Sequence, residues 1–368
     1  MGTVTLFLCG DVMTGRGIDQ ILPHPCDPAI HETFMRSALG YVDLAERSHG
    51  PIPRPVDPAY IWGVALDELE RERPAARIVN LETAVTRSDD WQDKGINYRM
   101  HPRNAGCLSA ARIDCCVLAN NHVLDWGVAG LIETLDTLGN AGIKAAGAGA
   151  NRVKARAPAE LSLERGGRVL VFALAAASSG VPPHWAADMN RAGVDFLEDL
   201  SENTVARIAD TVRETKQPGD IAIASLHWGG NWGYRISEAE RRFAHGLIDT
   251  AGVDLVHGHS SHHAKGIEVH AGKLILYGCG DFINDYEGIG GHEAYRGDLG
   301  LMYLPTLDAE NGRLARLELV PTQMRRFRVQ RAGSADSSAL CAVLKREGRQ
   351  FGTRAKLRPD GRIEVLWA

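Results

Sequence analysis

The sequence predicts an α/β protein whose strands are covered by helices, and two observations carry that expectation. Short apolar runs of β type alternate with amphipathic stretches along most of the chain. Five of the runs end in clusters of metal-ligand residues: Gly10-Asp11-Val12, Asn80-Leu81-Glu82, Asn120-Asn121-His122, Leu226-His227-Trp228-Gly229 and Gly258-His259-Ser260-Ser261-His262-His263. One Asp or His in a loop means little. Oxygen and nitrogen donors placed where several strands run out point to convergence at one edge of a sheet, which is how a metal site is built.

Strands are expected at 4–9, 77–81, 114–119, 168–175, 220–226, 253–257 and 273–279. The first of these is too short for a signal-peptide core, lacks a basic segment before it, and leads straight into Gly10-Asp11, so it reads as a strand. Between the strands, 129–140 is helical and stops at Gly139-Asn140-Ala141-Gly142, 202–216 stops at Pro218-Gly219, and 237–251 opens on Ser237 with Glu240 three residues later. After about residue 299 the pattern changes to the strand-like segments 299–304 and 314–320 and a helix at 337–347. The expected organisation is a catalytic domain over 1–330, with 331–368 as a C-terminal extension packed on the same domain. Seven prolines punctuate 19–60, which therefore reads as loop and short helix; a long insertion just after a ligand-bearing strand is a candidate lid.

Composition narrows the function classes. A chain of 368 residues with 44% hydrophobic residues can bury a large core, and a formal net charge of -5 offers no overall basic field for nucleic acid. No run approaches the roughly 18 apolar residues of a membrane span. Seven scattered cysteines, mostly inside apolar runs, suit reduced thiols and a cytoplasmic location rather than a disulfide framework. No nucleic-acid or membrane partner is expected.

Taken in order, the segments GDVMTGRG, NLETAV, NNHVLDWG, HWGG, GHSSHH and YGCGDFIND resemble the bacterial capsule-synthesis CapA family, whose members have a calcineurin-like metallophosphoesterase fold. The resemblance spans roughly residues 3–325. It implies a four-layer α/β/β/α sandwich with one or two divalent ions (Mn, Fe, Zn or similar) at the C-terminal ends of the strands. Carried over position by position, it makes Asp11 the first aspartate ligand and Glu82 the carboxylate that bridges two metals. Asn121, His227 and His259 complete one site, and His262 closes the other. Two departures matter: Met13 stands where an Asp-x-His motif would place a histidine, and Ser260-Ser261 replace the His-Pro of Gly-His-His-Pro-His. The first site is thus short of a ligand.

His122 matches the family's histidine that faces the substrate without binding metal, with Asn120 and Asp125 as residues that orient it. His257, His263 and His270 fall outside the matched positions and read as structural or supporting. Arg16 and Arg99 are candidate substrate contacts, because a guanidinium suits carboxylate or phosphate. The glycine-rich segment 285–293 reads as a mobile loop that carries His292 over the site.

The expected reaction is epimerisation. A soluble CapA-like chain resembles the metal-dependent epimerases of ribosomal lasso-peptide pathways, which invert the C-terminal residue of a precursor peptide. Removing and returning an α-proton needs groups on opposite faces of that carbon, and Asp11 and His292 are the candidate pair, with His122 as competing acid or base. The alternative is hydrolysis of a phosphoester or a γ-glutamyl amide, related to capsule polymer. A second alternative is a non-catalytic, metal-stabilised scaffold.

Overall fold

The computed structural model describes residues 2–164 and 166–367. The apolar run that follows the N-terminus forms the strand Thr3–Val12 in the middle of a ten-stranded sheet. On one side it pairs in parallel with Ala76–Leu81, followed outward by Cys115–Val117 and Lys144–Ala146, each parallel to the last. On the other side it pairs antiparallel with Leu299–Asp308, which pairs in turn with Leu314–Met324. The short strand Asp281–Ile283 runs parallel to the end of the first strand.

A second, seven-stranded sheet has its centre in Arg168–Ala176, Ile221–His227 and Leu255–His259, all parallel, and ends in the antiparallel pair Lys273–Leu276 and Ile267–His270. Strand periodicity separates its two faces. Val169, Val171, Ala173 and Ala175 join the large core shared with the first sheet. The alternate residues Leu170, Phe172 and Leu174 pack on Val205, Ile208 and Val212 of the helix Glu202–Thr215 and on Phe243 and Leu247 of the helix Glu238–Asp249. Helices Leu39–His49, Val64–Glu72 and Gly127–Asn140 contribute Val42, Leu69 and Leu131 to the core of the first sheet. The result is the expected α/β sandwich with two stacked sheets between helices.

The expected long elements are present with shifted ends. The strand expected at 253–257 occupies Leu255–His259, and that expected at 273–279 stops at Leu276, ahead of a bend at Tyr277 and the positive-φ Gly280. The insertion 19–60 contains the eleven-residue helix Leu39–His49. The segment beyond 331 continues the first sheet: after the helix Ser334–Gly348, the strands Arg354–Leu357 and Ile363–Leu366 form a hairpin that pairs with Leu314–Met324. All seven cysteines are free thiols. Among the described residues, no helix is long and apolar enough to cross a membrane.

Candidate metal centre

Five parallel strands drawn from both sheets end at one common edge, and the donors sit on those ends. Asp11 is the penultimate residue of the first strand, Glu82 follows Leu81, and the Asn120–His122 turn comes just after Val117. His227 and His259 are the last residues of their strands and lie directly opposite each other in register. Asp11 is flanked in register by Asn80 on one side and Asp281 on the other. That pairing needs glycine beside it, since a Cβ on Gly10 would lie 1.6 Å from the carbonyl oxygen of Gly280.

Two compact donor groups result, each with its ligand atoms within 4.8 Å of one another: Asp11, His227 and His259, and Asp11, His262 and Asp281. The carboxylate common to both is Asp11, whereas the family resemblance gives the bridging role to Glu82. Asn80 Nδ2 donates to Asp11 Oδ1 at 2.7 Å, and His262 Nδ1 donates to Asp281 Oδ1 at 2.8 Å. Glu82 Oε1 lies 3.7 Å from His122 Nε2 and 3.9 Å from His227 Nε2. Asn121 Oδ1 meets His227 Nε2 at 2.9 Å, so the amide and both imidazoles of the first group are contiguous.

The electrostatics fit a divalent cation. Burial, and then the neighbouring Asp281, push the Asp11 carboxyl up to about 7. Burial and the Asp11 charge drive Glu82 well above the ordinary carboxylate range. Burial opposes charge on His262, but the Asp281 and Asp11 carboxylates carry its imidazole above the usual value. Burial holds His227 and His259 well below it, the state in which imidazole binds metal. The Glu82 Oε2 atom is buried with no hydrogen-bond partner among the described residues, and His227 and His259 bring their Nδ1 atoms to 2.7 Å. Three close carboxylates, an orphaned oxygen and facing imidazole nitrogens form a donor set that a divalent cation would complete. Asp281 gives the His262 group a third donor, in the site that Met13 leaves short.

A cavity of about 690 Å³ opens over this edge, and Glu82, Asn121, His122 and His262 reach its wall. His122 Nδ1 donates to Asp125 Oδ2 at 2.6 Å, which fixes the tautomer and leaves Nε2 as an acceptor facing Glu82. Asp125 is itself held by Lys94 Nζ at 2.7 Å and by the Tyr98 backbone N–H at 2.6 Å. Burial brings the His122 pKa down to about 4, against the opposing pull of Asp125. Asn120 acts on the backbone rather than the ring, accepting from the N–H groups of His122 and Val123 and donating to Asn80 Oδ1. The insertion supplies Phe34, Tyr41 and His49 to the cavity wall, and the glycine-rich loop supplies His292, whose ring stacks on Trp232 at 4.1 Å.

Arg16 reaches the cavity wall but already has anionic partners, and Arg99 does not reach it. Arg16 is buried, with Nε and Nη2 on Asp285 at 3.0 and 2.5 Å and Nη1 on Glu32 and Tyr41, so its charge is already neutralised. Arg99 lies outside the cavity, bonded to the Ser88 carbonyl and Asp89 and seated over the Trp126 ring at 3.9 Å. Asp11 is buried, and the cavity wall is formed instead by Glu82, Asn121, His122, His262 and His292. His257, bonded to Ser225 and to the Cys9 carbonyl, is structural. Sequence reasoning gave no role to Asp281, although Gly280-Asp281 repeats the Gly10-Asp11 pattern after an apolar run. Lys94 was missed without any such signal, since it lies in a polar loop.

Comparison with known proteins identifies the family of the chain. Residues 5–286 match the family described as bacterial capsule synthesis protein PGA_cap. A Mycobacterium tuberculosis protein described as a probable polyglutamine synthesis accessory protein is 49% identical over 365 residues, covering 99% of this chain and 96% of its own length. The PGA biosynthesis protein CapA of Bacillus subtilis is 27% identical over 208 residues, 56% of this chain and 52% of that protein. Among solved structures, a phosphatase from Mycoplasma pneumoniae aligns with a TM-score of 0.45 at 11% identity, covering 89% of this chain and 96% of its own. The chain belongs to the bacterial capsule-synthesis PGA_cap family.

Proposed function

We propose that the chain is a metal-dependent hydrolase of amide bonds in a glutamyl or glutaminyl polymer. The observation that carries this reading is the placement of His122, held from behind by Asp125, on the wall of the same cavity that Glu82, Asn121 and His262 reach from the metal centre. The printed names of the mycobacterial and Bacillus relatives, which refer to polyglutamine and PGA synthesis, support the substrate class. Asp11, His227 and His259, and Asp11, His262 and Asp281, would each hold one divalent ion, with Glu82 and Asn121 beside them. Such an ion supplies Lewis acidity to the scissile carbonyl and to water. Neutral His122, with Nδ1–H committed to Asp125, has its Nε2 lone pair free to take a proton from water and return it to the leaving amine nitrogen. Water thereby adds to the carbonyl carbon, the C–N bond breaks, and the amine leaves neutral.

The epimerase expectation has less behind it. Its candidate base, Asp11, is buried and shared by both donor groups, where a bound cation would occupy it, and none of the relatives named above is described as an epimerase. The word "accessory" in the mycobacterial name supports a second reading, a metal-bearing partner of a polymer synthase. The test is to incubate protein reconstituted with Mn2+ or Zn2+ with α-linked polyglutamine, poly-γ-glutamate and a generic phosphodiester, and to follow new amine ends by mass spectrometry. Shortened polymer, abolished by a chelator and slowed about 10²–10⁴-fold in His122→Asn, is the expected result. Turnover of the phosphodiester with intact polymer moves the assignment to phosphoesters. Deuterium uptake at an α-carbon without cleavage restores the epimerase, and no reaction on any substrate leaves the partner role.

A further inference from the structure

On the outer face of the second sheet, away from the cavity, helix Glu238–Asp249 and strand Ile267–His270 confront each other with four metal-type donors. His245 and Asp249 are one turn apart on the helix, and Glu268 and His270 point to one face of the strand. The imidazoles of His245 and His270 stack with centroids 3.8 Å apart and planes 6° apart. His245 Nε2 meets Glu268 Oε1 at 3.0 Å, and His270 Nε2 meets the two Asp249 oxygens at 2.9 and 2.8 Å. One ligand atom from each of His245, Glu268 and His270 lies within 4.8 Å of the other two. None of the four residues lines the cavity or belongs to the groups around Asp11.

We propose that His245, Glu268 and His270, with Asp249 at the rim, form a separate site for a divalent transition ion of the Zn2+ or Ni2+ class. The helix and strand spacing brings ligand atoms of His245, Glu268 and His270 within 4.8 Å of one another, with Asp249 beside them on His270. Glu268 is buried and fixed, since its Oε2 accepts from Tyr277 Oη at 2.7 Å while Oε1 faces the histidines. The two histidine side chains are about a quarter exposed, at 25% and 26%, which leaves an entry path. Arg241 Nη2 lies 3.1 Å from Glu268 Oε1 and offsets one carboxylate. With neutral imidazoles, Asp249 and Glu268 against Arg241 leave one net negative charge for a dication. Two imidazoles with carboxylate favour borderline ions over Mg2+ or Ca2+, which prefer all-oxygen shells. Strand Ile267–His270 ends the path of the second sheet, so an ion here pins that edge to the helix outside it.

The test is zinc titration of the chelator-stripped full chain against a chromophoric competitor, comparing wild type, H245A/H270A, H245Q and H259A/H262A. At about 10 μM free zinc, wild type is expected to bind one equivalent more than H245A/H270A. The same equivalent should persist in H259A/H262A, and zinc should raise the melting temperature of that variant by a few degrees. Equal stoichiometry in wild type and H245A/H270A, both folded by circular dichroism, overturns the site. If the double variant does not fold, H245Q decides by the same comparison, because its amide can still reach Glu268 in the ion-free protein.

Discussion

Two aspartates far apart in the sequence, Asp11 and Asp281, lie side by side at the centre of the site, and each depends on a neighbour that a single sequence does not name. Asp281 both faces Asp11 and orders the His262 ring. Asp281→Asn should therefore lower affinity for one of two bound ions by about 10–100-fold, with the other retained, as measured by metal titration and elemental analysis. The donor residues were legible because each ends an apolar run, and that position is itself a signal. The roles of Arg16 and Arg99 were not, since a guanidinium looks free until its partners, here Asp285, Glu32 and Asp89, are known to be adjacent. Buried Asp195 gives a pH prediction remote from the metal centre. Burial lifts its carboxyl to about 6 despite Arg207 and Arg156 close by. A folded-state value above the unfolded one makes this contribution to stability full below about pH 4 and lost as the pH rises through about 6. Asp195→Asn should flatten the pH dependence of the unfolding free energy, measured by urea titration, across that window by on the order of 1–2 kcal/mol.

At the scale of elements, the helix Glu238–Asp249 shows how much a start signal is worth. Ser237 Oγ accepts from the Glu240 N–H at 3.2 Å, and Glu240 Oε2 accepts from the Ser237 N–H at 2.6 Å, closing the capping box that the spacing of the two residues announces. Ser237→Ala should cost about 1 kcal/mol, seen as a lower denaturation midpoint with an unchanged slope. Long apolar runs ending in polar caps were readable for the same reason: periodicity and punctuation agree over many residues. The two-residue ladders Ala84–Val85 with Arg99–Met100, and Ala148–Gly149 with Gly193–Val194, carry no periodicity and went unseen. Helix Leu39–His49 was expected only as short helix without a position, because the prolines on either side of it mask its ends, and the strand Arg354–Leu357 is too short and too basic to stand out as an apolar run.

For the molecule as a whole, a buried ion network ties the end of the chain to its beginning. Glu68 on the helix Val64–Glu72 pairs with Arg362 at 2.6 Å and Arg331 at 2.5 Å, and Arg362 also reaches Glu72 at 2.7 Å. Glu68→Ala strands part of that positive charge and should destabilise the fold by about 2–4 kcal/mol, while Glu68→Gln, which keeps a hydrogen bond, should cost less. Calorimetry of the two variants checks the order. The sharing of Asp11 between two donor groups has a consequence for biosynthesis. Its partners come from strands that leave the ribosome far later, His227 and His259 first and Asp281 last. While the chain is being made, the first strand therefore carries a solitary carboxylate with no ion to gather around. An ion held by these groups would bind only after the second sheet has been synthesised and docked, late in folding rather than as its nucleus.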